Sequence, residues 1–408
     1  MKKSLKLFSV LMIVLLLLSG CASGSEKSVS KKTLKEIKAQ DYVVSEVTGD
    51  NDIKNETSTP VSNEAKTDST EDTTVKNHGD VIKFPVTNNK YTESQFLPSV
   101  AYMAGGYAQN YMFTGFAFTP LTNFVYHYGK EDYGMNRLAK NQWQVYVDSM
   151  FAEGYNVDAL DNTVRQVKEA FDDNDYQVDV YGALLYPVKS VTSFGVVNGK
   201  NLDFSKTEDR IEGMKWLADE IIRRFNAKNY KNCRFAGFYY HIECIYEEEE
   251  ETQILNAVTD YVRSKGYKTV WAPYYNANGY QRWKNYGFDE ATTQINYFPG
   301  AESLPNAGGI DRISTAANRS QLYDIGIEME LCCSASNPNF KKAVGGFKEY
   351  MKAGVQTGYM YKFHTYWIQD TFQTVRALQK SNDPYLRSAY DELYKFINEE
   401  LTVSDMTF

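Results

Sequence analysis

Cysteine is scarce in this chain, five in 408 residues. Cys21, Cys233, Cys244, Cys332 and Cys333 follow neither the paired spacing of a zinc ribbon nor the density of a disulfide scaffold, so stability has to come from an apolar core. Positive charge is in deficit as well, with Lys+Arg 44 against Asp+Glu 52 and a net of −8. That balance disfavours nucleic acid and other polyanions and leaves neutral or weakly basic ligands. No Gly-rich phosphate-binding turn follows an early apolar strand, which removes support for an open doubly wound sheet and implies no nucleotide cofactor. There is no internal repeat and no second domain boundary. Apart from one N-terminal stretch, no apolar run approaches the roughly 20 residues that cross a bilayer as a helix.

What is present begins at that stretch. Lys2, Lys3 and Lys6 precede an apolar run over 7–18, followed by Leu18-Ser19-Gly20-Cys21. This order of positive, apolar and small residues is that of a secretion signal spanning 1–20. A Cys directly after Leu-Ser-Gly resembles the bacterial lipobox, which implies lipid on Cys21 and a protein held at the outer side of the cytoplasmic membrane. Residues 21–79 are rich in Ser, Thr, Lys, Glu, Asp and Asn, with no sustained apolar period, and read as a disordered tether. As flexible coil it spans on the order of 40 Å.

From 80 to 408, short apolar or aromatic runs alternate with amphipathic stretches, the pattern of an α/β fold with a parallel sheet. Eight runs read as strands: 99–104, 113–119, 177–186, 234–243, 269–275, 292–297, 325–331 and 356–363. Helical periodicity fills 208–227, 250–265 and 339–353. Eight such units predict a single (β/α)8 barrel of the TIM type, whose active sites lie at the C-terminal ends of the strands.

Two of these strands carry chemistry. In the fourth, alternation puts Phe235, Gly237, Tyr239, His241 and Glu243 on one face, with Glu243 at the barrel mouth. In the seventh, Ile325, Ile327, Met329 and Leu331 form an unbroken apolar face that forces Glu328 and Glu330 to the interior. Two interior carboxylates are costly unless paired or used, and Lys362, placed on the eighth strand, is the expected structural partner. Two carboxyls facing one another across a cleft are what glycoside hydrolysis requires, one as proton donor and one as nucleophile or base.

The layout resembles the large retaining-glycosidase clan, with a Glu at the ends of strands four and seven. That resemblance implies Glu243 as acid/base and Glu330 as nucleophile, with Glu328 as the alternate. It also implies a hydrogen-bonding role for Tyr297 and a sugar platform in Trp367. The clan places Asn before its acid/base, where this chain has Ile242; Asn276 or Asn296 are the substitutes at hand. Tyr274 and His364, with Asn276, Asn296 and Trp367, sit at or beyond strand ends and join Tyr239 and His241 as candidate substrate contacts. A second resemblance rests on Trp271-Ala272-Pro273-Tyr274-Tyr275-Asn276-Ala277-Asn278-Gly279, Trp283, Gly287-Phe288-Asp289, Gln294-Ile295-Asn296-Tyr297-Phe298, Gly237-Phe238-Tyr239 and Gly326-Ile327-Glu328-Met329-Glu330. Over about 98–395 these are similar to the bacterial domain-of-unknown-function family 4855, implying a secreted barrel of unestablished activity.

Other constellations point elsewhere or nowhere. His241, Cys244, Cys332 and Cys333 straddle opposite sides of a barrel and do not converge on a metal; the thiols read as small buried residues, Cys332 and Cys333 with a disulfide open to them outside the cell. The acidic run 247–251 opens a helix whose N-terminus favours negative charge, with calcium as the competing reading. The sequence therefore predicts a membrane-tethered, glycoside-hydrolase-like barrel for a neutral glycan. Its rival is a non-catalytic carbohydrate-binding or envelope-interaction lipoprotein.

Overall fold

A computed structural model of the chain describes residues 79–126, 131–304 and 306–408. The signal, Cys21 and the tether lie outside the described residues. Among those residues no helix is long and apolar enough to cross a membrane. Eight parallel strands close into a barrel: β1 Asp80–Pro85, β2 Gly115–Thr119, β3 Val178–Leu184, β4 Cys233–Tyr240, β5 Lys268–Trp271, β6 Glu290–Gln294, β7 Gly326–Leu331 and β8 His364–Ile368. β1 pairs with both β2 and β8, Val81 standing opposite Gly115 on one side and Thr365 on the other. Helices α1 Glu93–Val100, α2 Lys140–Met150, α3 Val157–Phe171, α4 Thr207–Lys228, α5 Glu248–Ser264, α6 Asp311–Tyr323, α7 Phe340–Thr357, α8 Thr371–Lys380 and α9 Pro384–Ile397 pack outside. Between β5 and β6 a 3-10 segment, Tyr280–Tyr286, stands where the fold usually has a helix.

The main core fills the ring between strands and helices. Ile327, Met329 and Leu331 of β7 point into it, each no more than 1% exposed, and burying each stabilises the fold by about 1.5–3 kcal/mol. Their alternation leaves Glu328 and Glu330 inside the barrel, as the sequence predicts. A smaller cluster of Val81, Ala117, Tyr181, Tyr239, Val270, Ala272 and Phe363 plugs the barrel interior.

The first and last strands differ from expectation. Residues 99–104 are not in the barrel: Ala101–Ala104 pairs antiparallel with Tyr107–Tyr111, turning through Gly105 and Gly106 at φ 58° and 82°. A Gly-Gly pair between two short β-prone runs is a hairpin signal, and it outweighs the apolar alternation. The true first strand is Asp80–Pro85. At the other end, 356–363 holds the last turn of α7, Gly358 at φ 82° and a 3-10 turn, Tyr359–Tyr361, before β8 begins at His364. Lys362 therefore lies outside the barrel, its Nζ donating to the Ser320 carbonyl at 2.9 Å and paired with Asp324 at 3.1 Å.

Strand four also departs from strict alternation. Its register against β3 slips between Val180 and Tyr181, which face Phe235 and Gly237 and leave Ala236 as the extra residue of a bulge. Phe235 consequently points outward onto Phe225, Phe238 and Tyr267, while Ala236 packs on the interior cluster. Beyond the bulge Tyr239 is back on the inner face. Gly237 permits this approach: a Cβ there would lie 2.0 Å from the Lys268 carbonyl oxygen. Gly237→Ala is expected to destabilise the fold by more than about 3 kcal/mol, read as a lowered chemical-denaturation midpoint. An unchanged midpoint would mean that β5 yields without cost.

Candidate active site

The site is built at the C-terminal ends of the strands, where a cleft of about 340 Å³ opens within the range of small-molecule pockets. Lys83 of β1, Glu328 and Glu330 of β7, Gln294 of β6, Trp367 of β8, and Tyr239, His241 and Glu243 on and after β4 line it. Tyr126 from the loop after β2 and Asn296 and Phe298 from the loop after β6 are also part of its wall.

The floor is an ion pair. Lys83 Nζ lies 2.7 Å from Glu328 Oε1, with the two side chains 5% and 1% exposed. Lys83 also donates to the Tyr239 hydroxyl at 3.2 Å, and Thr365 Oγ1 donates to Glu328 Oε2 at 2.6 Å. Both carboxylate oxygens and the ammonium are thus satisfied, the condition under which a buried pair is tolerated. The cation that meets the strand-seven glutamate is Lys83, not Lys362.

Glu330 is anchored differently. Its Oε2 accepts the backbone N–H groups of Ile295 and Asn296 at 2.9 and 2.7 Å and the Tyr350 hydroxyl at 3.2 Å. Its Oε1 accepts one bond, from Asn296 Nδ2 at 3.1 Å. Asn296 has φ 53°, a left-handed conformation that Asn tolerates better than most residues, and its Oδ1 accepts the Tyr275 N–H at 2.9 Å. Burial and the Glu328 charge push Glu330 up to about 8, against the pull of its two backbone donors.

Glu243 lies past the strand, on backbone pinned by neighbours. Trp271 Nε1 donates to the Ile242 carbonyl at 2.7 Å and the Tyr274 N–H to the Glu243 carbonyl at 3.0 Å. Ile242, fully buried, belongs to the main core. Burial raises Glu243 to about 7; the Lys83 charge and a Gln294 hydrogen bond oppose that rise, and the Glu328 charge adds to it. His241 is lowered to about 3 by burial and by Lys83, so its imidazole is neutral. Neither ring nitrogen has a hydrogen-bond partner among the described residues.

These shifts fix a pH dependence. Glu243 and Glu330 keep a proton in the folded state that the unfolded chain releases near 4.5, so the stability they contribute is complete below that pH and is lost as pH rises through about 7 to 8. Denaturation midpoints are expected to fall between pH 5 and 9, and the fall to be shallower in Glu243→Gln. Equal slopes in the two proteins would show that Glu243 binds no extra proton on folding.

Glu243, Glu328, Glu330, Tyr239, His241, Asn296 and Trp367 thus share one cleft. Tyr297 instead lies against Tyr350, with ring centroids 6.4 Å apart, and Tyr274 and the exposed Asn276 stand outside the cleft wall. His364 is a correction: as the first residue of β8 it faces outward, 3.4 Å from Asp80 and packed on Phe396, because the strand starts later than 356–363. Lys83 and Gln294 were not singled out from the sequence. Lys83 had a signal, a lone cation inside Val81-Ile82-Lys83-Phe84. Cys233, Cys244, Cys332 and Cys333 are buried free thiols, and no group of three or more metal-ligating side chains gathers among the described residues.

No curated protein matches the chain. Among solved structures it is similar to a family 18 chitinase from Crocus vernus, with 13% identity over 77% of this chain and 99% of that one and a TM-score of 0.38. It is similar also to a tri-modular GH5 endo-beta-1,4-glucanase from Bacillus licheniformis, at 8% identity over 79% and 60% and a TM-score of 0.39. A third is the tryptophan synthase alpha subunit of Legionella pneumophila, at 9% identity over 79% and 92% and a TM-score of 0.36. A family model described as domain of unknown function, DUF4855, matches residues 85–395, and the chain belongs to that family.

Proposed function

We propose that the barrel is a glycoside hydrolase for a neutral glycan, with Glu243 as proton donor and Glu330 as the carboxylate across the scissile bond. One observation carries the reading: Glu243 after β4 and Glu328 and Glu330 on β7 line one cleft at the barrel mouth, and glycosidic cleavage needs two carboxyls facing the scissile bond, one holding a proton and one ionised. Glu243 gives its proton to the glycosidic oxygen as the C–O bond breaks. Glu330, in the fraction that has released to solvent the proton that burial favours, attacks the anomeric carbon through the oxygen that accepts a single hydrogen bond; water deprotonated by Glu243 then releases the sugar and restores both groups. Glu328, fixed by Lys83 and Thr365, is the alternate nucleophile. Trp367 and Tyr239 supply aromatic surface beside the reacting carboxyls.

A non-catalytic binding cleft is favoured by one feature, the four protein donors on Glu330, which suit a structural brace. Incubation of the protein with neutral oligosaccharides, followed by NMR of the product anomer, separates the readings. Turnover with retained configuration, absent in Glu330→Gln protein that still binds glycan, supports hydrolysis. Binding without turnover leaves the brace. We place the domain on the outer side of the cytoplasmic membrane through lipid on Cys21; radiolabelled palmitate incorporated by the wild type but not by Cys21→Ser tests that placement.

A further inference from the structure

A second recess, of about 400 Å³, opens on the same barrel face, lined by Asp132, Tyr133, Tyr186, Val188, Lys189, Ser190 and Glu247. Its residues come from the loops after β2, β3 and β4, the loops that build ligand sites in this fold. Tyr133 is 46% exposed, yet it is held firmly. One face of its ring stacks on Tyr246, with centroids 4.3 Å apart and planes at 18°, and its hydroxyl donates to Glu247 Oε1 at 3.0 Å. Its backbone sits at φ 55°, ψ 29°, next to Asp132 at φ 51°, a conformation that non-glycine residues rarely adopt and that tends to mark functional positions. A large aromatic ring fixed in this way, half open to water, lacks a role in the core.

The charges around it compensate one another. Asp132 pairs with Arg137 at 2.6 Å and accepts from Ser190 Oγ at 2.6 Å. Lys189 lies 3.1 Å from Glu247 and 2.7 Å from Glu250. An aromatic face bordered by mutually paired hydrogen-bonding groups suits a neutral sugar ring, whose C–H face stacks while its hydroxyls meet the rim.

Two short segments join this recess to the catalytic cleft. Tyr126 lines the cleft, its ring 6.1 Å from His241, and its strand-like pairing with Met135 brings the flanks of the Tyr133 loop together. Glu243 lies in the cleft and Glu247, four residues on, in the recess; that stretch of chain reaches at most about 14 Å. Resting on the glycosidase reading, we infer that the recess is a distal subsite: the substrate is a linear neutral oligo- or polysaccharide, one unit of which stacks on Tyr133 while another sits at Glu243.

Titration calorimetry with neutral gluco-, manno-, xylo-, galacto- and N-acetylglucosamine oligosaccharides of two to six units tests this. Tyr133→Ala is expected to weaken the longest bound member of a series at least about fivefold and to leave its disaccharide unchanged. Tyr107→Ala, an exposed tyrosine in the hairpin at the opposite end of the barrel, serves as the control and changes neither. Equal affinities of Tyr133→Ala and wild type for every chain length overturn the distal subsite and leave the cleft reading standing. Failure of the wild type to bind any of the sugars overturns both.

Discussion

Lys83→Met is expected to lower stability by about 3–5 kcal/mol, roughly 4–7 °C in Tm, because it strands the Glu328 carboxylate in the barrel floor without its cation. The penalty comes from Glu328 rather than from the loss of an attraction. Accordingly Lys83→Met/Glu328→Gln, which removes both charges, is expected to recover at least half of it, and Glu328→Gln alone to leave an unpaired ammonium at comparable cost. Thermal unfolding of the four proteins closes the cycle. A single-variant cost under about 1 kcal/mol would mean that water reaches the pair and screens it, as at a surface. A second readout is independent of stability: Lys83 helps hold the His241 imidazole neutral, so the His241 ring protons are expected to titrate at higher pH once Lys83 is gone. A purely packing role for the lysine stem would not move that titration.

The same pair shows what was legible in the sequence and what was not. Strand seven was legible because Ile325, Ile327, Met329 and Leu331 occupy every position that faces the helices, leaving Glu328 and Glu330 only the interior. Its partner was not, because Asp80–Pro85 adjoins a polar stretch and carries a charge at each of two positions and a proline at its end. A strand that contributes one lysine to a barrel interior looks like loop until closure of the barrel demands an eighth strand. Around 356–363, alternating Tyr359 and Tyr361 imitated a strand across a helix end, which displaced the interior cation to Lys362 and His364 to the site. Constant alternation in strand four puts Phe235 inward; the bulge at Ala236 reverses that face, and its local sign is Gly237, a glycine inside an otherwise bulky strand. Tyr239, His241 and Glu243 lie past the bulge, where alternation resumes, and line the cleft. The hydrogen bonds that distinguish Glu330 from Glu328 come from residues 295, 296 and 350, an arrangement set by loop geometry and tertiary packing that no local pattern encodes.

On a glycan that the wild type cleaves, Glu243→Gln is expected to reduce kcat by about 10²–10⁴-fold while leaving Kd within a few-fold, since the amide keeps the shape and loses the proton. The pH profile identifies the group. With Glu243 as the proton donor raised to about 7 and Glu330 as the ionised partner raised to about 8, the working form peaks between those values, so kcat is expected to be bell-shaped and to fall tenfold per unit on either side. Gln294 supplies the sharper test, being a neighbour whose hydrogen bond favours the charged form of Glu243. Gln294→Leu removes that bond and is expected to move the alkaline limb upward, so that the variant outperforms its own neutral-pH activity relative to wild type at pH 8. Substrates with an acidic phenol as leaving group need little protonation, and on these the first step in Glu243→Gln is expected to approach the wild-type rate. An alkaline limb that ignores Gln294→Leu, together with an equal loss on good and poor leaving groups, would assign the proton to another residue and leave Glu243 as a ligand-binding carboxyl.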